Sequence, residues 1–174
     1  MQNHFSVFEL PEAFDVDIAE LTLRYRELQK AAHPDKYANS PEQERLQAVQ
    51  LAAQINDAFV VLKSPLSRAQ HLLALNGIVA EKNATISDPM FLMQQMEMRE
   101  SLEEAATKED ALTAVEDAID EIENVYRQLL NDIKKMFSQA SPDYEKISDS
   151  VLKLHFFARL KNEAETLLAD LEDK

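Results

Sequence analysis

Apolar side chains recur at every third or fourth position along most of this chain, and no stretch alternates with the period of two that a half-buried strand requires. Ile18, Leu21, Tyr25, Leu28 and Ala32 form one such stripe; Leu46, Val49, Ala53 and Val60 form another, its last two members bracketing Asn56. The two stripes predict an antiparallel helix pair joined by residues 33–40. Further on, Leu112, Val115, Ile119, Ile122, Tyr126, Leu129, Ile133 and Met136 hold the same spacing, and Tyr144, Ile147, Val151 and Leu154 begin a last run. With a helix opened at Pro89 these predict a three-helix bundle, because the connections near 105–109 and 138–142 are short enough to fold the helices back. One long coiled coil is the alternative reading of the same periodicity.

Prolines and small polar residues punctuate the pattern. Ser40-Pro41, Ser64-Pro65, Asp88-Pro89 and Ser141-Pro142 each read as a helix start. The side-chain oxygen caps free N–H groups, and proline takes the first helical position, where its missing N–H loses nothing. Ser40 with Gln43 and Thr107 with Asp110 extend toward capping boxes, and Asp17 with Glu20 gives a weaker aspartate version. The lone glycine, Gly77, follows residues 66–76, where a left-handed residue ends a helix without strain.

Composition narrows the chemistry. The chain has 174 residues, 45% hydrophobic and 29% charged, enough for one compact domain or two small ones. A single glycine rules out a phosphate-cradling loop or a dinucleotide fingerprint, each of which needs several. The absence of cysteine rules out disulfides, thiolate metal sites and a cysteine nucleophile. None of the four histidines follows a glutamate by three, so the helical Glu-x-x-His metal motif is missing as well. No cofactor and no metal are expected of this chain. The first residues carry neither a basic apolar leader nor an Arg-rich one, and no run of about 18 apolar residues follows, so a soluble, cytoplasmic protein is expected.

The net charge of −14 opposes binding to nucleic acid or an anionic membrane. It is unevenly placed, −3 over residues 1–83 and −11 over 84–174, which predicts two halves with different electrostatic tasks.

His33-Pro34-Asp35 closes the first long helix. Proline disfavours helical geometry at His33, so the chain leaves the helix there and holds the imidazole and the Asp35 carboxylate in a short exposed turn. Plain turn chemistry accounts for the tripeptide equally well. On a helical wheel, however, Leu23, Arg26 and Lys30 lie opposite the buried stripe, with His33 at their edge. Residues 21–37 hold four basic and two acidic side chains, a local excess of +2. An outward leucine beside that strip suits a contact surface for an acidic partner. The run from Leu21 through Arg24, Arg26, Lys30 and His33-Pro34-Asp35 to Tyr37, followed by Gln54-Ile55-Asn56-Asp57-Ala58-Phe59 and Leu62, resembles a J domain. That resemblance implies stimulation of ATP hydrolysis by a DnaK-type chaperone, with His33, Pro34 and Asp35 as the activating turn and Arg24, Arg26 and Lys30 as its electrostatic dock.

The acidic half carries an apolar spot. Four of the six methionines fall between residues 90 and 98. In the helix from Asp88, Phe91, Met98, Leu102 and Ala105 share one face and are expected in the core. Leu92, Met93 and Met96 cluster on another, continued by Glu97, Glu100 and Glu104. A wide methionine-rich core is one reading; a binding spot with a polar edge is the other. Phe156 and Phe157 stand about 100° apart on a helix; Phe157 fits the core, and Phe156 either joins the methionine patch or enters the core by helix drift.

The segment Phe91 to Glu100, the joint Pro65-Leu66-Ser67-Arg68-Ala69 to Leu75-Asn76-Gly77, and the order of elements resemble the HscB-type J-domain co-chaperones of iron–sulfur cluster assembly over nearly the whole chain. The resemblance implies an all-α protein with a J domain at 1–76 (a helix pair plus short helices), a linker at 77–87 and a scaffold-binding three-helix bundle at 88–174. It implies no enzyme activity of its own. Its partners would be an HscA-like ATPase and an IscU-like scaffold, the latter held by Leu92, Met93, Met96, Glu97, Glu100, Glu104 and Phe156. A J protein for a different client is the alternative.

Overall fold

A computed structural model describes residues 3–37, 40–78 and 88–173. The described residues are all-α, as expected, and the chain divides into two compact units, Met1–Gly77 and Ile78–Lys174. The linker expected at 77–87 lies, from residue 79 onward, outside the described residues.

The N-terminal unit contains α1 (His4–Val7), α2 (Ile18–Ala32), a 3-10 helix (Pro34–Tyr37), α3 (Glu42–Lys63) and α4 (Pro65–Leu75). Asp17 caps α2 by accepting from the N–H groups of Ala19 and Glu20. The α2–α3 pair is antiparallel. Tyr25 stacks on Phe59, its ring centroid 4.0 Å away, while Gln29, one turn later, donates to Asn56 Oδ1, one turn earlier. Tyr25 Oη donates to the same Asn56 oxygen. Phe5, Phe8 and Phe14 drive three rings into this unit from the segment before α2.

Two expectations about α3 fail. Leu46, Val49 and Val60 are exposed by half or more and Ala53 is exposed too, whereas the opposite stripe of Ala48, Ile55, Ala58 and Leu62 is buried. Two alanines on the buried face let α1, α2 and α4 approach α3 closely, so the larger side chains opposite are left to solvent. Nor does Ser40 cap α3: Pro41 stands at the cap position without a side-chain hydrogen bond and the helix begins at Glu42. Ile18 and Leu112, also placed on buried stripes, lie at helix starts and are exposed.

Ser64 does cap α4, with Pro65 in the first turn. Gly77 ends that helix at φ +81°, and a Cβ there would meet open space, so glycine is required for its backbone freedom and not for room. Arg68 on α4 is buried; its guanidinium donates to the Leu62 carbonyl at the end of α3 (2.7 Å) and lies over the Phe14 ring. Burial lowers its pKa from the usual arginine value, an effect that Asp15 opposes. His71 Nε2 accepts the backbone N–H of His4, fastening α1 to α4. An acceptor nitrogen means a neutral ring on that side, and burial pushes the pKa of His71 below the ordinary histidine value.

The C-terminal unit is a bundle of α5 (Pro89–Ala105), α6 (Ala111–Phe137) and α7 (Tyr144–Glu172). Its core joins Phe91, Met98, Leu102 and Ala105 of α5, Val115, Ala118 and Ile122 of α6, and Phe157, Leu160 and Ala164 of α7. Contacts from Asp88 to Lys153 and from Arg99 to Glu163 run the same way along both chains, so α5 and α7 are parallel and α6 returns between them. Asp110, not Thr107, caps α6, and Asp143, beyond the Ser141-Pro142 pair, caps α7. Both aspartates accept from the N–H three residues on, which Thr107, three places before Asp110, and Ser141, two places before Asp143, cannot reach.

The observed phase of α3 predicts a contrast. Ile55→Ala, at 1% exposure, should lower stability by about 2–4 kcal/mol, whereas Val60→Ala, at 66%, should cost under about 0.5 kcal/mol. Urea unfolding of both variants checks this, and equal losses would show that the assigned faces are wrong.

Candidate functional site

Two surfaces merit description, one on each unit. On the first, His33 leaves α2 with extended backbone (φ −61°, ψ 126°), the geometry imposed on a residue before proline. Lys36 N–H donates to the His33 carbonyl, winding the chain into the 3-10 helix that begins at Pro34. Asp35 N–H donates to His33 Nδ1 at 3.3 Å, so in the neutral ring Nε2 carries the proton. The Asp35 carboxylate, 89% exposed and 3.5 Å from that Nδ1, is open to a partner's donors.

Arg26, Gln29, Lys30, His33 and Lys36 line one shallow depression beside this turn. Arg24 does not join them. Its guanidinium donates to the carbonyls of Phe8 and Glu9 and to Glu20 Oε1 (2.6 Å), tying the end of α1 to α2. A rotation of about 200° separates it from Arg26 along the helix. Gln29 and Lys36 were not singled out from the sequence, although the three- and four-residue steps 26, 29, 30, 33 and 36 carry the signal.

On the bundle, α5 buries Phe91, Met98, Leu102 and Ala105 and turns a second apolar face outward. Leu92 is 44% exposed, Met93 60% and Met96 62%, and Glu97, Glu100 and Glu104 continue that face in solvent. Phe156 belongs wholly to neither alternative. It is half-buried, with its ring edge-on to Phe91 (5.8 Å) and to the buried Phe157 (5.3 Å).

The start of α5 is held at several points. Asp88 caps it by accepting from Met90 and Phe91 N–H and also takes the Lys153 ammonium from α7, which lies over the Phe91 ring. The hydrogen bond from Lys153, then that from Phe91 N–H, holds the Asp88 carboxyl below the usual carboxylate pKa. Farther along, Arg99 pairs with Glu163 of α7 at 2.8 Å. Beside this anchored start lies a cleft of 540 Å³ in which Met93 and Glu97 face Val125 and Leu129 of α6. Sequence reading placed Leu129 in the core and gave Val125 and Lys153 no role. Their spacing within α6 and α7 carries no mark of what stands across from them.

The described residues hold no cluster of three or more His, Cys, Asp or Glu side chains placed to bind a metal, and no helix among them is long and apolar enough to cross a membrane. A family model described as the HSCB C-terminal oligomerisation domain matches residues 87–165. A co-chaperone protein HscB homolog from Vibrio campbellii is 45% identical over 173 residues, 99% of this chain and 98% of its own length. Chaperone HscB from Vibrio cholerae superposes with a TM-score of 0.87 at 40% identity, covering 98% of this chain and 99% of that one. Human co-chaperone protein HscB superposes at 0.86 with 27% identity, covering 95% and 82%.

The Asp88–Lys153 pair has a testable pH signature. A carboxyl whose folded pKa lies below its unfolded value adds stability above the unfolded value, and that stability is lost as pH falls through the folded one. Lys153→Met keeps the stem over Phe91 and removes the charge. Its deficit in urea midpoint against the parent chain should be constant from pH 8 to about 5 and vanish as pH falls below the ordinary aspartate value of 3.8. A deficit unchanged in strong acid would place the role of Lys153 in packing alone.

Proposed function

This chain belongs to the HscB family of J-type co-chaperones, and from that premise we propose that it captures an IscU-like iron–sulfur scaffold on its bundle and delivers it to an HscA-like, DnaK-type ATPase. It is a co-chaperone in iron–sulfur cluster assembly that stimulates a partner's ATPase, not an enzyme. In this reading residues 1–76 are the J domain, 77–87 the linker and 88–174 the scaffold-binding bundle, at work in the cytoplasm.

The observation that carries the reading is the outward face of α5. A helix that already buries Phe91, Met98 and Leu102 has no fold requirement for Leu92, Met93 and Met96 on its solvent side. An exposed apolar spot edged by Glu97, Glu100 and Glu104 suits a partner presenting apolar side chains amid basic ones. Phe156 supports it from α7. On the other unit, Arg26, Lys30 and His33 converge on one depression beside the exposed Asp35, a cationic surface for an acidic ATPase. Pro34 fixes the backbone of that turn. Arg24 serves this dock indirectly, by holding α1 against the helix that presents it.

Two surfaces on one chain make the second encounter intramolecular, so client and chaperone meet at high effective concentration without either contact being tight. The chain has no cysteine, so thiolate ligands for the cluster must come from the scaffold, and the cluster is cargo.

His33→Gln should abolish stimulation of the chaperone's steady-state ATP hydrolysis and leave scaffold affinity unchanged; retained stimulation refutes the role of the turn. Leu92→Ala with Met96→Ala should weaken scaffold binding by about 2 kcal/mol or more, roughly 30-fold, at unchanged helicity. Wild-type affinity in a calorimetric titration would remove the patch from the interface. Measuring ATP hydrolysis with and without scaffold tests the whole reading: synergy supports the adaptor, and stimulation indifferent to scaffold assigns the protein to another client.

A further inference from the structure

The three helices of the bundle are unequal. α5 has 17 residues against 27 in α6 and 29 in α7, about 25 Å against about 40 Å and 43 Å. Beside the first two turns of α5, the cleft has Phe91 and Phe157 in its lining, Val125 and Leu129 of α6 forming one wall, and Met93 and Glu97 forming the other.

Three features give this cleft a ligand. Its floor is apolar and formed by helices, with Phe91 and Phe157 both buried in the core, so the cavity exists before a partner arrives. Its mouth carries Met90, 79% exposed, beside Met93, and unbranched thioethers adapt to an incoming side chain. Its charges are unequal: Lys153 and Asp88 neutralise one another, while the Glu97 carboxylate has no ion-pair partner among the described residues. The lip is therefore anionic. An apolar side chain next to a lysine or arginine matches it; an acidic or purely polar segment does not.

Met93 and Glu97 are also members of the scaffold-binding face, so the cleft and that face are continuous. Leu92 and Met96 lie on the side of α5 toward Arg99 and its α7 partner Glu163, whereas Met93 and Glu97 turn toward α6. We propose that the cleft is the second half of the scaffold-binding surface: it takes one large apolar side chain of the scaffold while Glu97 pairs with a basic neighbour of that side chain, which brings Val125 and Leu129 of α6 into the interface. The proposal rests on the scaffold-binding reading of α5. The scaffold thus grips α5 from both flanks, beside the Asp88–Lys153 pair that anchors the start of this helix to α7.

Gln94 is exposed, lines the mouth and lies outside both the core and the candidate patch, so Gln94→Trp obstructs the cleft without removing a packed side chain. The full chain carrying this change is titrated calorimetrically with its IscU-like scaffold, beside Leu92→Ala/Met96→Ala and the parent. Circular dichroism and ATPase stimulation without scaffold serve as folding controls. The expected result is at least a tenfold loss of affinity for Gln94→Trp, with both controls unchanged, and a similar loss for Val125→Ala/Leu129→Ala. If the patch variant loses affinity while Gln94→Trp stays within threefold of the parent, the cleft is outside the interface and the proposal falls, with the scaffold-binding reading intact. If neither variant loses affinity, that reading and the proposal fall together.

Discussion

A helix in a three-helix bundle can bury about one face, and α5 carries apolar side chains on two. Phe91, Met98, Leu102 and Ala105 fill the core, which leaves Leu92, Met93 and Met96 in solvent with glutamates at their edge. Exposing three large apolar side chains side by side with a glutamate edge fits the scaffold-binding role proposed for this face. The neighbouring structure follows from keeping that face in place. Asp88 and Pro89 begin the helix, Lys153 ties its first turn to α7, and Arg99 pairs with Glu163 three turns on.

The N-terminal unit solves a different problem, that of presenting a short turn rigidly. Pro34 stops α2 at His33 by steric exclusion, and the next residues wind into a 3-10 helix instead of fraying. Behind the turn, α2 is held on both sides. Tyr25 and Gln29 share Asn56 on α3, and Arg24 clamps the end of α1. The charges of α2 are thereby sorted: Arg24 works inward, while Arg26 and Lys30 stay available beside His33. The buried Arg68 and the neutral acceptor His71 fasten α4 to α3 and α1, so the polar groups of this unit serve its frame as much as its surface.

How far this was legible in the sequence depended on the range of each interaction. Helix starts at Asp17, Ser64 and Asp88 could be read because a cap involves only residues two or three apart. The caps at Asp110 and Asp143 were displaced because Thr107 and Ser141 are equally good capping types and only the loop geometry chooses among them. On α3 two opposite stripes had the right period. Leu46, Val49 and Val60 look the more hydrophobic, yet Ala48 and Ala58 on the other face are what allow close packing. Phe156 could not be assigned to core or surface because its position, edge-on to Phe91 and Phe157, belongs to the seam between two helices.

By itself, the sequence determined the helical class, the break at His33-Pro34-Asp35, the contrast between a basic strip and an acidic half, and the absence of residues for thiolate or phosphate-loop chemistry. Each is a property of composition or of neighbours within one turn. Only the tertiary structure decided which stripe of α3 is buried, that Arg24 faces the frame while Arg26 joins His33, and that Val125, Leu129 and Lys153 stand around the start of α5. Periodicity places a side chain on its own helix; what it meets across the gap is set by the lengths, register and packing of separate helices.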